Sequence, residues 1–510
     1  MAKKQPLSSK ILVTNRAALV AKYGTSGVKK IEKAVDGLIS ADRQRGLNTR
    51  LIYLDSASLG SKKVTDPRDP VENKAAIDAV AKKHRPEYLV ILGSHDVVPF
   101  QELKNKLFDP ADPDADDDRF AGSDLPYACE SPYSQNTAKF LGPTRVVGRL
   151  PDLTGATTPR YLIALIKAAA KAKGFTRPDE AFAISAKVWE KSTKISVRNI
   201  LGSVPVVLTS PKKGPTFGKA ALGGKVHFVN CHGDKEDHTF AGEFPVETYS
   251  TAMDARKLKG VGRGTVAAFE CCYGAQLYDP KGLPAMSIAN TYLAKGAAGV
   301  VASTTVSYGL EDENANADVI CQLFIEQVLK GASLGRALLE ARLGYVRQQS
   351  VADAYDEKTL AQFLLLGDPS HHPFPSGGAA ATTLSRKAKA AEYAARLQRR
   401  VRLMKAGERL SRECAYTVPA TKSKRAGAIR SKALSSTLRR QFKNLRVFTV
   451  HEPAAAKKTV GKALSAMPKA NLVYVATKRR PDSTTHRKVF DALLAYQVDG
   501  NIVEIKLVSR

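Results

Sequence analysis

Cysteine, tryptophan and methionine are scarce in this sequence, which has six cysteines, one tryptophan and five methionines among 510 residues. The cysteines are too few and too scattered for a disulfide framework. They also lack the CxxC or Cys/His spacing of a zinc site. We therefore expect any cysteine chemistry to depend on single reduced thiols, which stand at positions 129, 231, 271, 272, 321 and 414.

Long apolar runs are also missing. No stretch of 18 apolar residues occurs, and the segment "MAKKQPLSSKILVTNRAALV" has no uninterrupted apolar core followed by a small-residue cleavage site. A hydrophobic content of 43% with 25% charged residues is typical of a soluble globular protein. These features predict a cytoplasmic protein that does not use a membrane, and the length predicts two or three domains.

Acidic residues become rare toward the end of the chain. The net charge is +30, and residues 379–510 contain 30 Lys and Arg against 8 Asp and Glu. The first 378 residues contain 49 Lys and Arg against 41 Asp and Glu. The sequence therefore describes a nearly balanced body and a strongly basic C-terminal region.

Apolar runs alternate with helix-like segments throughout the body. Strands are predicted at "KILVTN", "TRLIYLD", "EYLVILGS", "AFAISAKV", "PVVLTS", "KVHFVN", "TVAAFE" and "AAGVVAST", and helices at "SGVKKIEKAVDGLISADRQRG", 70–84 and "RYLIALIKAAAKA". Such alternation is typical of an α/β fold with a mainly parallel sheet flanked by helices.

Pro, Gly and Ser accumulate in "GDPSHHPFPSGG", which predicts a domain boundary. We divide the chain into an N-terminal α/β subdomain (1–175), a second α/β subdomain (176–375), a linker (376–383) and a basic C-terminal domain (384–510). In the basic C-terminal domain, we expect basic helices to precede the strands. The strands "RVFTVHE", "NLVYVATK" and "NIVEIKLVSR" and the helix-like segments "KKTVGKALSAM" and "THRKVFDALLAY" then predict a small α/β unit.

Two motifs fall where predicted strands end. "VHFVNCHGD" ends a strand at His232 and Gly233, and "VAAFECCYG" ends another at Cys271 and Cys272. Ligands of parallel α/β sheets bind at the carboxyl ends of the strands. An imidazole there can serve as a base and lower the pKa of a thiol, and the N–H of Gly233 can stabilise an oxyanion. The two motifs therefore predict a His–Cys dyad.

A strand ending in His-Gly followed by a strand ending in Cys-x-x-Gly resembles the gingipain-like branch of the caspase-fold cysteine peptidases and its CHAT-domain relatives. The likeness extends, in order, through "YLVILGSHDVVP", "GSDLPYA", "RVVGRLP", "GAAGVVASTTVSYG" and "FLLLGDPS". It covers roughly residues 10 to 372. The resemblance implies a cysteine endopeptidase that cuts proteins or peptides without a metal or organic cofactor, with 176–375 as the catalytic subdomain.

The resemblance leaves two candidates for the nucleophile. Gingipain-like and CHAT sequences carry a glycine three positions after the nucleophile, which selects Cys271. The caspases proper carry it two positions after, which selects Cys272. Side chains alternate along a strand, so the two thiols cannot both face His232. We favour Cys271 and expect the other thiol in the core. The implied oxyanion donors are the N–H groups of Gly233 and the nucleophile.

The family also implies a specificity pocket. Tyr308 matches an aromatic residue that walls this pocket, although it could equally be a packing residue. Family members that cut after Arg or Lys carry an acid at the pocket floor, and the corresponding segment "AKVWEKSTKISVR" offers Glu190 among several lysines. Glu190 could instead orient His232 or be solvated.

The aspartates of residues 109–118 lack the glycine and terminal glutamate of an EF-hand loop, which favours a flexible acidic loop over a calcium site. The basic C-terminal domain could bind nucleic acid or an acidic protein partner. Two alternatives to a peptidase therefore stay open: a non-catalytic caspase-fold scaffold, and a nucleic-acid-binding protein. By analogy, a peptidase of this kind is expected to be a regulated effector in defence or cell death.

Overall fold

The computed structural model describes residues 8–111, 115–202, 206–244, 248–311, 313–349 and 354–375, together with the backbone of four strands between 446 and 509. The chain folds into two compact units, Met1–Ala381 and Thr382–Arg510. Each unit is described by itself. The subdomain boundary at 175/176 stays a prediction.

The strands of the first unit follow the apolar runs of the sequence. They are β1 (Ser8–Thr14), β2 (Leu47–Tyr53), β3 (Tyr88–Leu92), β4 (Gln101–Lys104), β5 (Phe120–Ser123), β6 (Val146–Leu150), β7 (Phe182–Ala186), β8 (Leu208–Ser210), β9 (Val226–Asn230), β10 (Thr239–Glu243), β11 (Tyr249–Asp254), β12 (Val266–Phe269), β13 (Gly299–Ser303) and β14 (Phe363–Gly367). Every residue of β3, β9, β12 and β13 is buried. Burial on both faces explains why these strands are continuous apolar runs rather than alternating ones.

The helices lie between the strands. They are α1 (Arg16–Gln44), α2 (Pro70–His84), α3 (Arg160–Ala170), α4 (Glu190–Leu201), α5 (Lys219–Leu222), α6 (Ile288–Ala294), α7 (Ala317–Leu329), α8 (Leu334–Gln349) and α9 (Ala354–Gln362). Helix α2 shows how the sequence sets a boundary: Asp69 accepts the N–H of Val71 at 2.7 Å, and Pro70 occupies the first turn. Helix α1 begins ten residues earlier than predicted, because it continues through a kink at Gly24.

Ten strands form one sheet in the order β2-β1-β3-β6-β14-β13-β12-β9-β7-β8. The strands β2, β1, β3, β6 and β14 run parallel to one another, and so do β13, β12, β9, β7 and β8. The two sets meet at β13 and β14, which are antiparallel. The sheet therefore consists of two parallel half-sheets of opposite direction, and the predicted mainly parallel α/β fold is confirmed.

The sheet packs between helices on both faces. Val266 and Ala268 of β12 belong to a core cluster with α7 and α8, whereas Ala267 and Phe269 belong to a second cluster with α6. Within the described ranges, no helix is long and apolar enough to cross a membrane.

In the second unit, β15 (Arg446–Thr449), β16 (Leu472–Pro481), β17 (Lys488–Val498) and β18 (Asn501–Ser509) form an antiparallel sheet. The three predicted strands are confirmed. The predicted helix over "THRKVFDALLAY" is wrong, since Lys488–Val498 pairs with both neighbouring strands. The helices expected near 384–410 and at "KKTVGKALSAM" lie outside the described residues.

Candidate active site

The ends of β9 and β12 form the centre of the site. The two strands are parallel, with Val229 paired to Phe269, and the N–H of Glu270 donates to the carbonyl of Val229 at 2.8 Å. His232 and Cys272 each lie three residues beyond this register, and Cys272 belongs to the turn that follows β12. The two strand ends therefore bring the backbones of the two motifs to one edge of the sheet.

Cys271 lies in the core on the α6 side of the sheet. Its side chain is fully buried in the core cluster that contains Cys231 and Tyr292, and its sulfur is 3.8 Å from the carbonyl oxygen of Val229. Burial raises the pKa of this thiol well above its ordinary value, so it stays protonated and acts as a small hydrophobic side chain. Cys271, which the sequence analysis favours as the nucleophile, therefore lies in the core in this structure.

Cys272 is the thiol that reaches the site. Its side chain is partly exposed, and its sulfur accepts hydrogen bonds from the backbone N–H groups of Ser307, at 3.3 Å, and of Gly233. Burial raises the pKa of the Cys272 thiol, while these two N–H groups act in the opposite direction. Donors directed at the sulfur stabilise the thiolate once its proton has been removed.

Gly233 joins the two strand ends. A Cβ atom at this position would lie 2.0 Å from the carbonyl oxygen of Cys272, a distance that no side chain can tolerate. The absence of a side chain therefore permits the close approach of the backbones that carry the imidazole and the thiol. The role of this N–H toward an oxyanion stays a prediction.

His232 is held on three sides. Its Nε2 lies 2.9 Å from Oε2 of Glu243, and its ring packs against Trp189 at 4.4 Å and edge-on against Tyr249 at 5.1 Å between ring centroids. The backbone of His232 also exchanges two hydrogen bonds with Ala241, at 2.8 and 2.9 Å. An Nε2–H that donates to Glu243 leaves Nδ1 as the nitrogen able to exchange a proton with the reacting groups.

Two carboxyl groups are buried directly below the nucleophile. Burial raises the pKa of Asp318 to about 7, and that of Glu270, which hydrogen-bonds to Asp318, well above its ordinary range. One oxygen of each carboxyl has no donor among the described residues, which a proton shared between the two groups explains. No ion pair with either group occurs in the described part of the chain, and burial keeps both carboxyl groups protonated to a higher pH than exposed acids.

A narrow cleft borders Glu270, one member of this acid pair. Its lining includes Glu270 and Asn230 below, Ser307 beside the thiol, and Trp189 and Leu310 as walls. Its volume is about 20 Å³, close to that of one water molecule. A long side chain would therefore enter only if a wall residue turned aside, and Leu310 is 48% exposed and adjacent to solvent.

The predicted specificity residues have other partners. Glu190 pairs with Lys187 and with Lys194, the latter at 2.7 Å, and the hydrogen bonds to both lysines lower its pKa. Glu190 is therefore held by two lysines in this structure, and the pocket-floor and His232-orienting roles suggested for it stay predictions. The hydroxyl of Tyr308 donates to Asp116 at 2.7 Å, which fixes the residue next to Ser307.

The acidic loop leads into the site. Asp116 and Asp118 are buried and both pair with the ammonium of Lys358, Asp118 at 3.3 Å. Asp118 also accepts the hydroxyl of Tyr273 and the N–H of Val306, each at 2.8 Å. These two aspartates therefore organise the residues beside Cys272 and Ser307, while Asp112 and Asp114 lie outside the described residues.

Sequence reasoning missed the residues that support the dyad. Glu243, Glu270, Asp318 and Asp118 come from four separate segments, and none carries a local motif. The one available signal was for Glu270, an acid at the end of an otherwise apolar run, where burial without a partner is costly.

Known proteins share features with this chain. Residues 226–374 match the sequence model of peptidase family C25. Among solved structures, the Arg-specific cysteine proteinase gingipain R is similar over 99% of this chain and 98% of its own, with a TM-score of 0.48 and 10% identity. No curated protein matches in sequence.

Two structures of the Saccharomyces cerevisiae separase–securin complex are also similar. One has a TM-score of 0.33 and 13% identity and covers 58% of this chain and 16% of its own. The other has a TM-score of 0.34 and 12% identity and covers 67% of this chain and 23% of its own. The chain thus spans less than a quarter of either separase chain.

The C25 match defines a class: a cysteine-type endopeptidase. Within that class the region of residues 226–374, which includes His232 and both adjacent cysteines, is gingipain-like. The predicted family resemblance and the predicted peptidase class are therefore confirmed.

Proposed function

We propose that this protein is an endopeptidase whose nucleophile is Cys272 and whose proton-transfer group is His232. The observation that carries the proposal is the difference between the two thiols: Cys271 is fully buried in the core, whereas Cys272 is partly exposed and its carbonyl oxygen lies close to Gly233, the neighbour of His232. The two N–H groups on the Cys272 sulfur support the same assignment.

The reaction follows from these positions. His232 removes the thiol proton of Cys272, and the thiolate attacks the carbonyl carbon of the scissile bond to give a tetrahedral oxyanion. The N–H of Gly233, already directed at the sulfur, is placed to stabilise that oxyanion. The imidazolium then gives its proton to the leaving amine, and water releases the acyl group from the sulfur.

Glu243 is a positioning residue in this mechanism. By accepting from Nε2 it fixes the ring orientation and stabilises the imidazolium that forms when the thiol is deprotonated. The ring contacts with Trp189 and Tyr249 restrict the same rotation.

The preferred substrate residue is basic. The acid pair Glu270–Asp318 supports this proposal, because a cation beside it would lower both raised pKa values and make the pair anionic, and no ion pair among the described residues supplies one. A Lys or Arg side chain in the residue before the scissile bond would supply that cation. A cytoplasmic setting and a role as a regulated effector stay predictions from the sequence.

The assignment is tested with acyloxymethyl ketone probes that carry Lys, Arg, Leu or Asp next to the warhead. Intact-mass measurement should show labelling of wild type and Cys271→Ala by the Lys or Arg probe, and none of Cys272→Ala, because Cys272 is the partly exposed one of these two cysteines. The two alanine variants are a matched pair, one residue apart.

Labelling that persists in Cys272→Ala, or that is lost in a folded Cys271→Ala, would overturn the assignment of the nucleophile. Equal labelling by the Leu and Lys probes would contradict the proposed preference. Failure of all probes on the wild-type protein would favour a non-catalytic scaffold.

A further inference from the structure

The opposed half-sheets give this fold two carboxyl edges. The dyad lies at the carboxyl ends of β9 and β12. The strands β6 and β14 run the other way, so they end at the opposite rim of the sheet, where β9, β12 and β13 begin. Ligands of α/β sheets bind beyond carboxyl ends of strands, and this second rim is a place for them that the peptidase reaction does not use.

A cavity of about 420 Å³ opens at the second rim. It is bounded by Leu150 at the end of β6, Gly367 at the end of β14, Gly264 before β12, and the segment that follows α3. A volume of this size accommodates a small organic molecule rather than a single ion or water.

The cavity is lined by four cations: Lys171, Lys173, Lys225 and Arg263. None of the four forms an ion pair within the described ranges. The ammonium of Lys225 is nevertheless fixed, since it donates to the carbonyl of Arg263 at 2.8 Å and lies 4.4 Å from the ring centroid of Phe175. The positive charge is therefore held at the cavity without a protein counter-charge.

The acid in the lining is already neutralised. Asp368 accepts a hydrogen bond from the buried Lys10 at 2.5 Å, and Lys10 also pairs with Asp42 at 2.9 Å. Arg45 completes a charge-balanced group by pairing with Asp42 at 2.5 Å. Asp368 therefore does not cancel the charge of the four cations.

The rest of the lining is apolar. Leu150, Leu165, Phe175 and Leu293 provide the side chains, and Ala297 and Ala298 leave room between them. The site thus combines uncompensated cations with an apolar wall, an arrangement that suits a molecule with an anionic group on an apolar or aromatic body.

We propose that this cavity binds a phosphorylated small molecule of nucleotide size, with its phosphates on Lys225 and Arg263 and its apolar part against Leu165, Phe175 and Leu293. Binding here requires no step of the peptidase reaction. The proposal therefore stands or fails independently of the assignment of Cys272.

Isothermal titration calorimetry of the full-length protein at fixed salt tests it with three probes: ADP, pyrophosphate and adenosine. We expect ADP to bind with one-to-one stoichiometry, pyrophosphate more weakly, and adenosine least. In Lys225→Ala/Arg263→Ala, the affinity for ADP should fall by a factor of up to about ten, as expected from losing two screened charge contacts.

Since the C-terminal region is itself basic, the matched control is Lys422→Ala/Arg425→Ala, which removes the same charge there and should bind ADP like wild type. Filling the cavity with Ala172→Trp should also abolish binding. Binding that survives unchanged in the cavity variants, is lost in the C-terminal variant, or is equal for pyrophosphate and ADP would overturn the proposal. Thermal melting of each variant identifies any that fails to fold.

Discussion

At the scale of single residues, Cys271 and Cys272 have opposite environments although they are neighbours in the chain. The turn that begins after β12 sends the Cys271 sulfur into the core cluster on the α6 side and the Cys272 sulfur toward the backbone N–H of Ser307. A thiol in the core stays protonated, whereas a thiol among N–H donors can become a nucleophile.

The acid pair gives a pH-dependent stability that can be measured. Burial raises the folded-state pKa of Asp318 from 3.8 to about 7. The folded state therefore holds a proton that the unfolded state has lost between these values, so the stability contribution is present at low pH and is lost as the pH rises through about 7. We expect the free energy of unfolding, from urea titrations, to fall more between pH 5 and pH 8 in wild type than in Asp318→Asn.

Asp36→Asn is the matched control for this prediction, because Asp36 is exposed on α1 and its removal should leave the pH dependence unchanged. A parallel pH dependence in wild type and Asp318→Asn would show that the buried pair does not titrate as described.

At the scale of elements, the turn after β12 is strained and is held from outside. Tyr273 has a positive φ of 51°, a conformation that costs energy for a residue with a side chain. Its hydroxyl donates to Asp118 at the end of the acidic loop, and the same carboxylate accepts the N–H of Val306. The acidic loop therefore fixes both segments that surround the nucleophile.

Removing this contact should slow the reaction. In Asp118→Ala, the turn can relax and the Cys272 sulfur loses its fixed position. Because the lost buried hydrogen bonds contribute about 1–3 kcal/mol, we expect kcat to fall about tenfold or more. The change in KM should be smaller. Steady-state assays with a labelled peptide measure it. Partial recovery in Asp118→Asn, which keeps an acceptor, distinguishes positioning from loss of the fold.

The neighbouring Asp117 provides the control, since its side chain is exposed and Asp117→Ala should keep the wild-type kcat. Equal losses in the two alanine variants would indicate a general effect of loop charge instead.

Elements of the body were predictable because their apolar runs are long and their helices are periodic, as at β3 and α2. The exceptions have local causes. The predicted start of α1 was too late because Gly24 is typical of a helix boundary, and β17 was predicted as a helix because its apolar residues fit a helix as well as a strand. The strand end that carries His232 and Gly233 was predictable from one motif. The different burial of the two thiols was not, because it depends on how the turn after β12 packs against neighbouring segments, and that packing is not a property of the motif itself.

At the scale of the whole molecule, the charge separation between body and C-terminal region predicts an ionic interaction. Fluorescence anisotropy should show that the full-length protein binds duplex DNA and that the binding weakens as salt is added. The logarithm of the association constant should fall linearly with the logarithm of the salt concentration, with a slope of about 0.9 per neutralised phosphate. Neutralising Lys422, Lys424 and Arg425 with alanine should reduce that slope.

The comparison variant neutralises three exposed lysines of α1, Lys29, Lys30 and Lys33, and should bind as wild type does. If the full-length protein shows no affinity for DNA at low salt, or if both variants lose it equally, the C-terminal region is not a nucleic-acid interface.

The position of β14 also has a consequence for synthesis on the ribosome. This strand is formed by Phe363–Gly367, yet it lies between β6 and β13 and joins the two half-sheets. A nascent chain in which His232 and Cys272 have already been synthesised still has unpaired edges on both β6 and β13 until residue 367 has left the exit tunnel. The sheet whose strand ends carry His232 and Cys272 is therefore completed only when the body is almost fully translated, and a growing polypeptide cannot form the whole sheet before that point.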